Sequence, residues 1–348
     1  MRRKCKKVKI GSLYIGGEEK VLVQSMLNVI ADDVKGNIKQ AKKLKNAGCD
    51  IIRVAVPDKK AVSLIYKIKS EVDIPLVADI HFDYRLAIDC ANSGADKIRI
   101  NPGNIGDDSR VKAVANACRI NNIPIRIGIN SGSLEKEILN KYSHPTPEAL
   151  CESALYHASL LEKFDFNDIV ISLKSSDVTM MVKSYELLAE KCEYPFHLGV
   201  TEAGTERMGT IKSAIGIGSL LSKGIGDTFR VSLTADPVKE VYAGIDILKA
   251  LNMYSKGIKF VSCTTCGRTK INLIRLANQA EQRLKYCTKD IKVAIMGCAV
   301  NGPGEAKEAD IGVAGGNGVG LIFKKGEIIK KVREDQLIEE LIKEIDEM

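Results

Sequence analysis

Gly48-Cys49-Asp50-Ile51-Ile52-Arg53 returns as Gly94-Ala95-Asp96-Lys97-Ile98-Arg99, and in a shorter form as Gly226-Asp227-Thr228-Phe229-Arg230. Each copy runs from a helix end through glycine and aspartate into an apolar strand that carries one arginine. Glycine suits the turn that ends a helix, and the aspartate opens the strand at the bottom face of a barrel. Working outward, short apolar runs at 21–26, 51–56, 75–80, 97–101, 123–129, 168–174, 196–201 and 227–233 read as strands. Segments of helical period follow at 37–46, 59–70, 84–93, 109–121, 147–164, 177–191, 205–223 and 236–251. Nearly continuous apolar runs are what parallel strands buried on both faces require. Eight β-then-α units in about 250 residues predict an α/β chain whose first domain, 1–255, is a (β/α)8 TIM barrel.

From residue 256 the pattern changes to a small α+β domain, 256–348. Ser262-Cys263-Thr264-Thr265-Cys266-Gly267 precedes an amphipathic helix at 272–284. A strand at 292–296 leads to Gly297-Cys298-Ala299-Val300-Asn301-Gly302-Pro303-Gly304-Glu305, and strands at 311–313 and 320–323 precede a charged helix at 334–347. Gly315-Gly316-Asn317-Gly318 between those strands reads as a hairpin turn more readily than as a phosphate cradle. Cys263 and Cys266 can reach one metal centre, and Cys298 stands in a Gly/Pro-rich loop whose backbone can come close to it. Soft thiolates select zinc or iron–sulfur. If Glu305 fills a fourth position, a hard carboxylate on a soft centre is a displaceable ligand. A structural zinc knot and a redox disulfide pair are the competing readings, and the second leaves Cys298 without a role.

Composition narrows the class. The 348 residues carry 52 Lys and Arg against 44 Asp and Glu, a net charge of +8. That favours anionic ligands, but with no Trp and 5% aromatics nothing is laid out to stack on bases, so nucleic acid is not expected. No apolar run approaches a membrane span, and the basic start has no apolar segment behind it. The ten cysteines are expected as cytoplasmic thiols, and those other than Cys263, Cys266 and Cys298 as small packing residues.

Arg53, Arg99, Arg126 and Arg230 each sit inside an apolar strand, so alternation turns all four into the lumen. Asp79 can neutralise one of them, and a multiply charged anion such as a diphosphate would satisfy the rest. Other polar residues fall near the carboxyl ends of the strands, where barrel active sites lie: Asp79 and His81, Asn130, Lys174, Glu202 and Ser232. Glu202, in a Thr-Glu-Ala-Gly turn, is the candidate proton donor or base. His144, His157 and His197 read as structural or surface residues.

With these residues in view, the chain resembles the 4-hydroxy-3-methylbut-2-enyl diphosphate synthase family, in its two-domain form. The resemblance runs through Val-Gln-Ser-Met at 23–26, Ile-Arg-Val-Ala-Val-Pro at 52–57, Ala-Asp-Ile-His-Phe-Asp-Tyr-Arg at 78–85 and Arg-Ile-Asn-Pro-Gly-Asn at 99–104. It continues through Arg-Ile-Gly-Ile-Asn-Ser-Gly-Ser-Leu at 126–134, Gly-Val-Thr-Glu-Ala-Gly at 199–204 and Arg-Val-Ser-Leu-Thr-Ala-Asp-Pro at 230–237, and closes on both cysteine motifs. It implies a [4Fe-4S] cluster on Cys263, Cys266, Cys298 and Glu305. It also implies reductive opening and dehydration of 2-C-methyl-D-erythritol 2,4-cyclodiphosphate. The diphosphate would be held by Arg53, Arg99, Arg126, Asn130, Lys174, Arg230 and Ser232, with Glu202 as proton donor and Asp79 and His81 orienting substrate oxygens. A flavodoxin or ferredoxin as electron donor and a head-to-tail homodimer are further implications. The alternatives are a non-redox, pteroate-synthase-like transferase with a structural zinc domain, and an iron–sulfur sensor that would not need the lumen arginines.

Overall fold

The structure, a computed structural model, describes residues 2–285, 287–299, 306–316 and 319–348, and the chain divides into two compact units, 1–253 and 254–348. In the first unit a hairpin of β1 (Val8–Ile10) and β2 (Leu13–Ile15) precedes β3 (Leu22–Met26), β4 (Ile51–Ala55), β5 (Leu76–Asp79) and β6 (Lys97–Ile100). The strands β7 (Ile125–Asn130), β8 (Ile169–Lys174), β9 (His197–Leu198) and β10 (Thr228–Phe229) follow. Among the described residues, β3 to β10 form one parallel sheet in the order β8-β7-β6-β5-β4-β3-β10-β9, and a bridge between Ile171 and Phe196 joins its two ends. This is the expected TIM barrel.

Three local features explain why this sequence closes. First, the repeated aspartate forms a clip between neighbouring strands. Asp50 donates its amide to Val23 O at 2.9 Å and accepts the Val23 amide on its carboxylate at 2.9 Å. Asp96 does the same with Leu76 (2.9 and 2.7 Å), and Asp227 with Phe196 (3.0 and 2.8 Å). Second, Val8, Ile10 and Ile15 of the hairpin pack with Leu22, Ile51, Val77 and Val170, which closes the floor of the lumen with apolar side chains. The hairpin's strands are only three residues long, too short for period-2 reading of the sequence to detect. Third, Asp33, Asp58, Asp83, Asp107, Asp177 and Asp236 each accept a first-turn amide at a helix start. Such caps are worth about 1 kcal/mol apiece, and they commit six carboxylates to structure.

The last two strands are much shorter than the expected 196–201 and 227–233. The ladder ends at Leu198 and Phe229, and just beyond it Gly199 lies against the backbone of Arg230, where a Cβ would stand 3.0 Å from Arg230 O.

The second unit has, among the described residues, a five-stranded mixed sheet in the order β11-β12-β13-β14-β15. These are β11 (Lys259–Ser262), β12 (Lys292–Met296), β13 (Ile311–Gly315), β14 (Gly320–Lys324) and β15 (Glu327–Val332); the first three are parallel and the rest antiparallel. Alternation along β12 turns Val293 and Ile295 towards the helices Leu273–Leu284 and Leu337–Asp346. Ala294 and Met296 face the other way, onto Ala306, Ala309 and Phe323. Gly315 pairs with Gly320, so the glycine-rich segment joins two antiparallel strands as expected of a hairpin; Asn317 and Gly318 lie outside the described residues. Strands β11 and β15 escape a reading by apolar runs. The first is only half-buried, and the second is a charged edge strand, a composition that discourages pairing with other chains.

Candidate functional site

Strand register assembles the lumen. Asp79 is paired with Arg99, Arg99 with Arg126, and Asn130 with Lys174. Asp79 is buried and takes Arg99 Nη1 at 2.9 Å, with Arg53 Nε at 3.5 Å. Burial raises its carboxyl pKa, but the guanidinium groups of Arg53 and Arg99 outweigh this and hold it well below the usual carboxylate range. His81, at the strand end, is exposed, with Nε2 4.0 Å from Asp79 Oδ2.

Arg230 differs from the expectation that Asp79 is the carboxylate within reach. Glu240, on the helix Pro237–Ala250, grips it twice, with Nε–Oε2 at 2.9 Å and Nη2–Oε1 at 2.8 Å. Nothing in the sequence pattern marks Glu240, because it sits in the first turn of a helix rather than in a strand.

Arg126 is fully buried, and none of its three guanidine nitrogens has a hydrogen-bond partner among the described residues. Burial, then the neighbouring Arg53 and Arg99, disfavour its charge. Burial and the same crowd of cations push the Lys174 amine well below its ordinary pKa, and Arg53 is lowered to about 10. Lys97, which shares a face with Arg99 by period 2, is also buried without a partner at Nζ, and its pKa is pushed down by burial and by Arg126. Six basic side chains (Arg53, Lys97, Arg99, Arg126, Lys174, Arg230) thus share the lumen with two carboxylates (Asp79, Glu240) among the described residues, and holding their charges there requires further negative charge. Such an excess calls for an anion.

Arg53, Ser172, Lys174, His197, Gly199, Val200, Thr201, Arg230 and Ser232 line a cavity of about 180 Å3. His197, read from the sequence as structural or surface, therefore belongs to the lumen wall. Its Nδ1 stands 2.5 Å from Thr228 Oγ1, and burial followed by Arg126 and Lys97 pushes the ring's pKa well below its ordinary value. Glu202 follows Thr201 with φ of 51°, a left-handed conformation that is unusual for a residue other than glycine. The bond from Thr201 N to Ser175 O at 3.1 Å anchors this turn. A second cavity, about 600 Å3, lies among Arg2, Arg3, Lys4, Cys5 and Lys6, away from the carboxyl ends of the strands. There Arg2 is committed to Asp227, and Arg3 to the Cys192 and Tyr194 carbonyls. His157 is a core residue bonded to Glu135, as a structural reading expects.

In the second unit the cysteines follow adjacent parallel strands. Ser262 is in register with Ile295, so Cys263 and the Cys298 loop leave the sheet from the same edge. Gly297 N donates to Cys263 Sγ at 3.1 Å, and Lys270 N donates to Gly297 O at 2.8 Å. Gly297 packs closely on Thr269, where a Cβ would stand 3.0 Å from the hydroxyl and the Thr269 side chain would have to give way. Cys266 is exposed, and its thiol pKa is lowered chiefly by the Arg268 backbone amide. Cys298 is buried, and no disulfide joins any of the ten cysteines. Among the described residues no three His, Cys, Asp or Glu side chains are grouped to hold a single metal ion, and Glu305 lies outside the described residues.

Barrel and lumen together define the class: a TIM-barrel protein with a cationic lumen that opens at the carboxyl ends of its strands. A family model described as the GcpE TIM-barrel domain matches residues 5–245, and one described as the GcpE protein C-terminal domain matches 259–347. The chain belongs to the GcpE family. A 4-hydroxy-3-methylbut-2-en-1-yl diphosphate synthase (flavodoxin) from Clostridium perfringens is 60% identical over 99% of this chain and 99% of its own. The protein of that name from Caldanaerobacter subterraneus is 60% identical over 100% of this chain and 98% of its own. Among solved structures, dihydropteroate synthase from Stenotrophomonas maltophilia superimposes with a TM-score of 0.53 at 14% identity, over 71% of this chain and 97% of that one. Type I 3-dehydroquinate dehydratase from Clostridium difficile gives 0.52 at 18%, over 71% and 98%. At that distance the solved structures share the barrel fold alone. No described helix is long and apolar enough to cross a membrane.

Proposed function

We propose that this chain opens and dehydrates 2-C-methyl-D-erythritol 2,4-cyclodiphosphate to (E)-4-hydroxy-3-methylbut-2-enyl diphosphate, in the cytoplasm, with two electrons drawn from flavodoxin. The observation that carries this reading is the lumen's excess of cations, Arg126 above all, a buried guanidinium whose nitrogens await oxygen partners. A diphosphate answers that excess, because guanidinium forks match its oxygens. Asp79 keeps Arg53 and Arg99 aimed into the lumen, and Arg126, Asn130, Lys174, Arg230 and Ser232 complete the grip. His81 and Asp79 orient substrate oxygens at the mouth. Glu202, on its constrained turn, supplies the proton that lets hydroxide leave as water. The transferase alternative has no support beyond the barrel that the dihydropteroate synthases share.

The thiols fit a [4Fe-4S] cluster. Three soft donors come from adjacent loops, backbone amides reach Cys263 and Cys266, and glycine at 297 allows the loops to pack closely. A cluster spreads its ligands over several irons, so they need not converge on one point as around a single ion. Cys263, Cys266 and Cys298 would hold it, with Glu305 as fourth ligand, and when bound it supplies one-electron reduction at the carbon–oxygen bond to be broken. A head-to-tail homodimer belongs to the same reading, and sedimentation tests it.

Protein purified without oxygen should contain about four iron and four sulfide per chain. With reduced flavodoxin it should convert the cyclic diphosphate to the open-chain product. Zinc without sulfide, together with no conversion, would overturn the reading.

A further inference from the structure

Strand β10 stops at Phe229, yet Arg230 and Ser232, which line the lumen cavity, come after it. Arg230 N still donates to Leu198 O at 3.0 Å, but among the described residues no strand pairing includes 231–233. The Glu240 carboxylate supplies the missing support. Its Oε1 accepts from Arg230 Nη2 at 2.8 Å and from Leu233 N at 3.1 Å. Its Oε2 accepts from Arg230 Nε at 2.9 Å and from Ser25 Oγ at 2.8 Å. Four donors use about the full capacity of one carboxylate, and the Glu240 side chain is only 1% exposed. The two bonds to Arg230 form a planar fork, which fixes the orientation of the guanidinium as well as its position. The free edge, Nη1, then stands 3.4 Å from Met26 Sδ, and Arg53 Nη2 lies 2.8 Å from the same sulfur. A thioether is a weak acceptor, so an arriving anion takes both guanidinium edges from it without breaking a strong bond.

We infer that Glu240 is a positioning residue of the anion site: through Arg230 and Leu233 it holds the unpaired segment 230–233 in the orientation that meets diphosphate oxygens. The inference rests on the diphosphate reading proposed above. It gives a role in recognition to a residue outside both the barrel strands and the motifs that carry the candidate ligands.

The test uses the iron-loaded protein and Glu240→Gln, which keeps the size and removes the charge. KM for the cyclic diphosphate should rise at least about tenfold while kcat stays within about twofold. In an Arg230→Ala background the same change should move KM by clearly less than it does in the wild type, because the share that runs through Arg230 is gone and only the hold on Leu233 remains. A wild-type KM in Glu240→Gln, or a full additional loss in the Arg230→Ala background, overturns the inference. A lower melting temperature with unchanged KM marks a purely structural residue and overturns it equally. Should Glu240→Gln fail to fold, Glu240→Asp asks the same question. It keeps the charge but is one methylene too short for the fork, so a raised KM supports the inference and a wild-type KM sinks it. Calorimetric titration with inorganic diphosphate reads Arg230 without turnover. Weakened diphosphate binding in Glu240→Gln, in a protein whose wild type does not convert the cyclic diphosphate, removes the proposed function and keeps the positioning role. Conversion by the wild type with unchanged binding and KM in the variant does the reverse.

Discussion

At the floor of the barrel Asp50, Asp96 and Asp227 each close a two-bond clip to the neighbouring strand, whereas higher in the lumen Arg126 has, among the described residues, no partner for any of its nitrogens. The clips and three of the lumen arginines come from the same repeat, the aspartate opening the strand and Arg53, Arg99 or Arg230 following three residues further along, whereas Arg126 stands on β7, outside the repeat. The floor is satisfied within the chain itself, with apolar hairpin residues beneath it. The upper lumen leaves its cations in want of oxygen. Stability and recognition are thus separated along the length of a strand, as TIM barrels commonly divide them between their two faces.

The sharpest way to break this contrast is Arg126→Met. Turnover of the cyclic diphosphate should fall by about a thousandfold, the scale of losing a positioned donor, while the melting temperature holds or rises because an unpaired buried charge has gone. A destabilised variant with near-normal turnover would place Arg126 among the structural residues. Asp79→Asn should harm both properties. It leaves Arg53 and Arg99 without their countercharge, so unfolding free energy should drop by about 3 kcal/mol in denaturant titrations, with turnover lost as well. The folded-state pKa of Asp79 is depressed, so its contribution is fully present above the ordinary carboxylate value and is lost only as pH falls through the depressed one, in strong acid. Asp96→Asn, at the floor, should cost about 1–2 kcal/mol of stability and leave KM unchanged. A changed KM would mean that clip and lumen are coupled.

The smallest effect belongs to Glu135, which accepts Ser153 Oγ at 2.8 Å and bonds His157. Burial raises its pKa, but the bonds from His157, its own backbone amide and Ser153 together outweigh this and the value settles at about 2. Its contribution is present above the ordinary value of 4.5 and disappears as pH falls towards about 2. Glu135→Gln should therefore narrow the stability gap to wild type below pH 4.5 in acid-unfolding curves, with turnover little changed. A gap constant across that range would remove the linkage.

The barrel is legible in the sequence because parallel strands, buried on both faces, announce themselves as apolar runs. Arg53, Arg99, Arg126 and Asp79 fall in the lumen because alternation has a fixed period. Strands β9 and β10 are shorter than their apolar runs, since Gly199 and the segment after Phe229 keep apolar composition while leaving the ladder. Glu240 and His197 are not legible for a related reason. What places these two at the lumen is a helix's approach and a two-residue strand, and neither leaves a period in the sequence. Glu305 was legible only as a motif residue, and its position lies outside the described residues.

The pairing of β11 with β12 also acts as a ruler. Cys263 and Cys298 sit just beyond strands held in register at Ser262 and Ile295. A slip of one residue would turn Val293 and Ile295 away from the helices they pack against, so the sheet resists it. The smallest slip that keeps the faces correct is two residues, about 7 Å of travel between the thiol-bearing loops. The spacing of the sulfurs is therefore quantised by the sheet. Mutation can exchange the side chains in those loops, but it cannot tune the distance between them in small steps.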